Sequence, residues 1–462
     1  MFTLLLQLRF LTKLERILGP ELFTISLVII TLAAIVTVIM KYDFHPFMAL
    51  FLGALFYGLL SGMPPELILQ SVTDGFGGVL GKIGLLIFFG VIIGTFLEKT
   101  GGAFVIAQKV LHYIGQKAIM LGMMITGYIL SIPVFGDSAF IMMNPLNKSL
   151  SYKGKVSFAA VTIALTLGVS ASHSLVPPTP GPIAAAGILG ANLGLVIMWG
   201  LIVSSIALVP CFFFVKYFVS KIELTPHFAE DEEVVSSKKL PSAGKSFLPI
   251  IVPLLLIVLN SIAAYPTLPF GENYFTLVLS FLGNPIIALL IGAFVSFTLP
   301  GKIDKQLLSS TGWIGEALVI AAPIIFITGA GAVFGKMLQN SGIANIISDN
   351  ISNAQWGLLL PFVMAAALKT AQGSSTVALI TTASVIAPLM ASLGLETESM
   401  KVFTVLSIGA GAIMVSHAND SFFWVMTQMT GMNIKQGNQS HTVGTFILSA
   451  TAMIVIMIVS SF

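Results

Sequence analysis

Arginine is almost missing from this 462-residue chain, with Arg9 and Arg16 the only two. No guanidinium is left to grip an anion through paired hydrogen bonds anywhere beyond the first twenty residues. Charge of either sign is scarce as well: Asp, Glu, Lys and Arg make up 9% of the sequence, against roughly 25% in ordinary soluble domains. That excludes a soluble globular protein. The lone Cys211 lies in an apolar run and excludes a disulfide framework and a thiolate metal site. The net charge of +3 is spread out, with no Lys/Arg cluster interleaved with aromatics, so nucleic acid is excluded as a partner. A secretory leader is not expected either. Arg9, Lys13 and Arg16 follow an apolar start, the reverse of the leader order, and no small-residue cleavage site follows. Residues 1–20 read as an amphipathic surface helix.

What is abundant is apolar: 56% of the chain. Continuous runs recur from Leu22 to Met40, Phe44 to Leu60, Val79 to Leu97, Ile197 to Phe214, Ile250 to Ile262, Tyr274 to Leu299 and Thr442 to Phe462. Many approach the ~20 residues that a bilayer-spanning helix needs. A β-barrel would show short alternating segments instead. The fold class is therefore an all-α polytopic membrane protein.

The polar stretch from Lys221 to Lys245, with Glu230-Asp231-Glu232-Glu233 and Lys238-Lys239, divides the chain into a first membrane repeat over 21–220 and a second over 246–462. Three landmarks recur in the same order in both. Gly94-Thr95-Phe96-Leu97 pairs with Gly335-Lys336-Met337-Leu338, Gly136-Asp137-Ser138 with Gly373-Ser374-Ser375, and Leu165-Thr166-Leu167-Gly168 with Leu406-Ser407-Ile408-Gly409. Loops around the first Gly136 segment carry Lys99, Lys109, Lys117, Lys148, Lys153 and Lys155, whereas their counterparts carry Lys336 and Lys401 beside Asp349, Glu396 and Glu398. Lysine-rich loops face the cytoplasm, so the two repeats are expected to be inverted, with the 221–245 linker inside.

Four interruptions break the apolar pattern. Ser172-His173-Ser174-Leu175-Val176-Pro177-Pro178-Thr179-Pro180-Gly181-Pro182 cannot continue a helix, and Ser416-His417-Ala418-Asn419-Asp420-Ser421 carries groups that lipid rejects. Pro133 to Ser138 and Gln372 to Thr376 read as the turns of two re-entrant hairpins, each with a glycine followed by a residue able to cap the next helix. Broken helices at membrane depth mark a solute path.

With no arginine there, an anionic substrate would be held by backbone N–H groups at the helix starts after Gly136, Gly373, Pro180 and Asn419. Ser138, Thr179, Gly181, Ser374, Ser375 and Thr376 would assist, with Lys369 the only cation near a hairpin tip. Asp137, Asp420, His173 and His417 are the proton-coupling candidates, because a carboxylate removed from water holds a proton more readily and histidine titrates near 6.5 in water. Each also has a plainer role: the aspartates as helix caps, the histidines as core residues bonded to backbone, Lys369 as a snorkelling side chain. No metal or cofactor is expected, although the unwound segments also suit sodium. An intramembrane protease is excluded. Position 134 is Val where a Gly-x-Gly-Asp turn needs glycine, and Gly373-Ser374-Ser375-Thr376 does not match Gly-x-Ser-Gly. An anion channel remains the rival.

Pro177-Pro178-x-Pro180-Gly181-Pro182 after a histidine, Ser416-His417-x-Asn419-Asp420 before Phe422-Phe423-Trp424, and Gly373-Ser374-Ser375-Thr376-Val377-Ala378 after a basic residue resemble the gluconate:proton symporter (GntP) family of bacterial permeases. The resemblance runs from about Tyr42 to the carboxyl end. It implies two inverted repeats, each with a re-entrant hairpin and a discontinuous helix, a scaffold that forms a homodimer, an elevator-like transport domain, and proton-coupled uptake of sugar acids across the bacterial inner membrane. Asp137 falls where family members carry an acid in the first hairpin, and His173, Asn419 and Asp420 match directly. Three departures, Thr179 for a histidine, Lys369 for an arginine and Gly136 for a bulkier aromatic, imply a substrate other than gluconate, such as glycerate. Sodium-coupled carboxylate transport and D-serine-type amino acid transport are the alternatives.

Overall fold

The computed structural model describes residues 19–42, 44–115, 118–224, 240–264, 270–271, 273–302, 304–341, 357–417 and 420–461, and the regular structure among them is all helical. Most of the expected amphipathic segment (1–18) and of the linker (225–239) lies outside the described residues, as do Ala418 and Asn419.

The chain opens with α1 (Pro20–Tyr42) and α2 (Pro46–Leu60), the latter started by Pro46 and capped by the His45 ring, which accepts from Phe47 N. A long helix follows: α3 (Pro65–Val79) passes through a π-helical turn, Leu80–Gly84, into α4 (Leu85–Lys99). Next come α5 (Gly102–Ile114), the pair α6 (Ile119–Leu130) and α7 (Gly136–Gly154), then α8 (Phe158–Leu175), α9 (Pro180–Leu189) and α10 (Leu193–Tyr217). After the polar stretch come α11 (Ala243–Ala263), α12 (Tyr274–Leu282), α13 (Pro285–Ser296) and the long α14 (Trp313–Asn340). The chain closes with the pair α15 (Leu359–Gln372) and α16 (Ser375–Ile386), then α17 (Glu398–Gly411), α18 (Ser421–Thr430), the single turn α19 (Ile434–Gly437), a π-helical turn Asn438–Thr442, and α20 (Val443–Ser460). Each half thus runs long helix, tight helix pair, interrupted helix, long helix. The three sequence landmarks sit at the end of the long helix, at the tip of the pair and inside the interrupted helix in both.

Among the described residues six helices are long and apolar enough to cross a bilayer, or seven if α12 and α13 count as one. The expected continuous span from Tyr274 to Leu299 is corrected here. The two helices meet at 67°, because Asn284 caps the second one by accepting from Ile286 N at 3.0 Å and Pro285 cannot continue the first.

The spans differ in what surrounds them. Within Phe158–Leu189, 89% of the most apolar window is buried, against 39–56% in the other long spans. The α8–α9 helix is therefore wrapped by protein, and its apolar residues meet other helices where those of the outer spans meet lipid. It is wedged between α6, α10 and α7. The close approach of α8 to α6 depends on paired glycines: a Cβ at Gly168 would collide with the Met124 carbonyl oxygen, and one at Gly127 with that of Leu165. Small residues that let backbones touch are the usual device of membrane helix packing. In the second half α15 packs on α17, where Gly411 lies against the Phe362 carbonyl in the same way.

Gly168→Ala should therefore cost about 1–3 kcal/mol as an overpacked contact. Gly77→Ala, whose added methyl would meet no atom within 4 Å, should cost nothing. Thermal unfolding of both purified variants in detergent checks the pair, and equal melting temperatures would refute the packing role.

Candidate functional site

Three helix starts converge on one cavity of about 320 Å³. The first is α7, which contributes Gly136 and Asp137; the second is α16, which contributes Ser375 and Thr376; the third is α18, which contributes Ser421 and Phe422. The first turn of any helix leaves N–H groups without intrahelical partners and carries a positive partial charge. The wall is completed by Phe135, Val169, Ser170, His173, Ser174, Lys369, Gly373, Ser374, Ile413, Ser416, Asp420 and Thr445.

Local sequence explains each start. Gly373 takes φ +84°, a left-handed conformation that ends α15 and that only glycine adopts freely. Ser374 then caps α16 by accepting from Val377 N at 3.3 Å. Asp420 caps α18 through Oδ1, which accepts from Phe422 N at 3.0 Å. The first hairpin departs from expectation: Phe135 is the N-cap of α7 without any side-chain cap, so Asp137 stands in the first turn and its carboxylate is not used as the cap.

The electrostatic centre is Lys369. Its Nζ lies 2.6 Å from Asp420 Oδ2 and also donates to the Gly373 carbonyl, and the lysine is 3% exposed. The pair joins the last turn of α15 to the cap of α18. Asp420 Oδ2 also accepts from Ser416 Oγ at 2.5 Å. Asp137 lines the same cavity from α7. His173 lines the cavity from α8, and its buried Nδ1 has no hydrogen-bond partner among the described residues.

Of the residues singled out from sequence, Gly136, Asp137, His173, Lys369, Gly373, Ser374, Ser375, Thr376 and Asp420 line this cavity together. Four do not, and each has a physical reason. Thr179 spends its hydroxyl on the Val176 carbonyl, 2.8 Å away, closing its own turn. Gly181 packs against Leu379 of α16, and because Pro180 and Pro182 have no N–H, the start of α9 has little to offer an anion. Ser138 follows Asp137 by one residue, about 100° further around α7, and lies toward Glu98 of α4, outside the cavity lining. His417 stands with Nε2 3.2 Å from the Thr370 carbonyl, tying the break to the end of α15. Asn419 lies outside the described residues.

A family model described as GntP family permease matches residues 23–462. The chain belongs to the GntP permease family. Among the relatives of this permease, a gluconate permease of Pseudomonas aeruginosa is 33% identical over 447 residues, covering 94% of this chain and 96% of the relative. The D-serine transporter DsdX of Escherichia coli is 30% identical over 442 residues, covering 94% and 97%. Among solved structures, the Alcanivorax borkumensis YdaH transporter aligns with a TM-score of 0.61 at 12% identity, covering 85% of this chain and 88% of that one, a likeness of fold alone. The permease is a multi-pass protein of the bacterial inner membrane and no enzyme.

Sequence reasoning missed His441. It is fully buried on the π-helical turn before α20, with Nε2 3.2 Å from Ser416 Oγ and Nδ1 3.2 Å from Thr166 Oγ1 of α8. The only trace in the sequence is the polar run Asn438-Gln439-Ser440-His441-Thr442 at the head of an apolar span, which reads as the surface end of a helix.

Removing the cation alone should be more damaging than removing the pair. Lys369→Met strands a buried carboxylate and should cost about 3–5 kcal/mol, whereas Lys369→Met with Asp420→Asn should recover most of the loss. Melting temperatures of the two variants decide it, and a single variant as stable as the wild-type permease would contradict the pairing.

Proposed function

We propose that this permease is a secondary active transporter that carries a small hydroxy-carboxylate into the cell together with a proton. The observation behind this reading is the charge inventory of the cavity. It holds one cation, Lys369, already paired with Asp420 at 2.6 Å, and a second carboxylate, Asp137, in the same lining. With Asp137 ionised the site carries net negative charge and repels an organic anion; with Asp137 protonated it is neutral and can accept one. Proton and anion would then enter together or not at all. The anion's carboxylate is held by the starts of α16 and α18, with Ser374, Ser375 and Thr376 at hand, and its hydroxyls reach His173. A volume of about 320 Å³ sits at the low end of the roughly 300–1,000 Å³ range of ligand pockets, which favours a short acid over a long one.

Two mirror-related halves, 21–220 and 246–462, joined by a cytoplasmic linker over 221–245, account for the recurring element order and the opposite lysine bias of their loops. α6–α7 and α15–α16 are then re-entrant hairpins, and the site residues ride on a transport domain that moves against a dimeric scaffold built from the outer spans. The likeness in fold to the YdaH transporter is compatible with this arrangement.

One specific observation favours a second reading. An amino acid such as D-serine brings its own ammonium group, which could pair with Asp137 and make a coupling proton unnecessary; the DsdX relative transports D-serine by its name.

Uptake into proteoliposomes separates the two. With an inward proton gradient, wild-type permease should accumulate glycerate, and Asp137→Asn should abolish the accumulation while retaining glycerate exchange. Gradient-driven accumulation that survives in Asp137→Asn would remove the proton role from Asp137. Among competitors of labelled glycerate, gluconate and lactate are expected to be weaker than glycerate itself; D-serine as the best competitor would favour the second reading, and gluconate as the best would refute the short-acid assignment.

A further inference from the structure

The buried pair Lys369–Asp420 does not end at the cavity wall. From Asp420 Oδ2 the hydrogen bonds continue through Ser416 Oγ (2.5 Å) to His441 Nε2 (3.2 Å), and from His441 Nδ1 to Thr166 Oγ1 (3.2 Å). Every member of this row is buried. The carboxylate can only accept, so Ser416 donates to Asp420, and Ser416 in turn accepts from His441 Nε2–H. At the far end His441 Nδ1 faces Thr166 Oγ1, whose one proton also has the Ile163 carbonyl at 3.1 Å. The row therefore has a direction from His441 toward the carboxylate that holds Lys369.

The same turn and the start of α20 also hold the backbone of the break. Thr442 Oγ1 donates to the Ser416 carbonyl at 2.6 Å, and Ser416 N donates to Thr445 Oγ1 at 3.2 Å. Just before Ser416, Val415 takes φ +52°, a left-handed conformation that a β-branched side chain adopts only under constraint. A π-helical turn inserts one extra residue into a helix and re-aims the side chains on it. Here the turn over Asn438–Thr442 directs His441 and Thr442 inward, onto the strained segment that delivers Asp420 to the site.

We infer that His441 is a positioning residue of the permease: through Ser416 it fixes the Asp420 carboxylate in register with Lys369, and so sets how tightly the cavity holds its anion. The inference rests on the carboxylate-transport reading for its functional half only. His441 does not itself line the cavity; it stands behind two residues that do, Ser416 and Phe422, so it acts through Ser416 and not on the substrate itself. The titratable groups near it are Asp420 and Lys369.

The test uses full-length permease, three single variants and one double: His441→Leu removes both ring nitrogens, His441→Gln keeps a donor near the Nε2 position, Ser416→Ala breaks the row at its next member, and the double variant combines His441→Leu with Ser416→Ala. Hydrogen–deuterium exchange in detergent needs no substrate. His441→Leu should raise exchange at Ser416–Phe422 about tenfold while His441→Gln stays near wild type; unchanged exchange in His441→Leu overturns the inference. For glycerate uptake, His441→Leu should raise KM about tenfold with Vmax changed less than threefold, and Gln should restore KM. Ser416→Ala should match Leu, with the double variant no worse than either single, since both cut one row. Raised exchange with unchanged KM, or additive effects in the double variant, reduces His441 to a packing residue and also overturns the inference. Wild-type permease that takes up no glycerate would sink the transport reading while leaving the exchange result to judge the structural half.

Discussion

A lysine and an aspartate buried together hold the centre of this permease. Taking two charges out of water is expensive, and mutual attraction offsets that cost only when geometry is close and the remaining donors and acceptors are met. Here both conditions hold. Lys369 meets Asp420 and the Gly373 carbonyl, while Asp420 meets Lys369, Ser416 and Phe422 N. One interaction thereby ties the end of α15, the turn at Gly373, the break after α17 and the start of α18. Loosening it would release two of the three helix starts that face the cavity.

The surroundings fit that demand. The interrupted α8–α9 helix is enclosed by protein over most of its length, and the cavity beside it mixes apolar Phe135, Val169, Ile413 and Phe422 with polar groups. Glycines at 127, 168 and 411 bring backbones close enough to exclude lipid from the site. Outer spans such as α12 and α13 expose Phe275, Leu277, Phe281 and Phe294 instead, as elements facing hydrocarbon or a second subunit do. The molecule is thus sorted into a tightly packed interior that carries the chemistry and a looser apolar shell around it.

Much of this was legible in the sequence, because polar residues inside a bilayer need a reason. Asp137, Lys369, Asp420 and the Gly373 turn each break an apolar run, and each lines the cavity. The legible signal faded where chemistry gave way to direction. Ser138 stands next to Asp137 in sequence, yet one residue turns a helix by about 100°, which takes it out of the cavity lining. The Pro-rich break looked like a fourth anion-binding helix start. Its prolines end a helix well and for the same reason donate nothing. The bend between α12 and α13 was hidden inside an unbroken apolar run, where only Asn284-Pro285 marked it. His441 was invisible because its partners, Thr166 and Ser416, are 275 and 25 residues away, and its π-helical turn has no composition of its own.

The lysine at position 369 has a consequence for discrimination. Its ammonium already serves Asp420 and the Gly373 carbonyl, so apart from Asp137 what the lining offers a ligand is mostly neutral: amide hydrogens, serine and threonine hydroxyls, one imidazole nitrogen. Such groups are exacting about where hydrogen-bonding partners sit, since a donor left facing nothing in a closed pocket is costly. A pocket lined in this way is suited to telling stereoisomers apart.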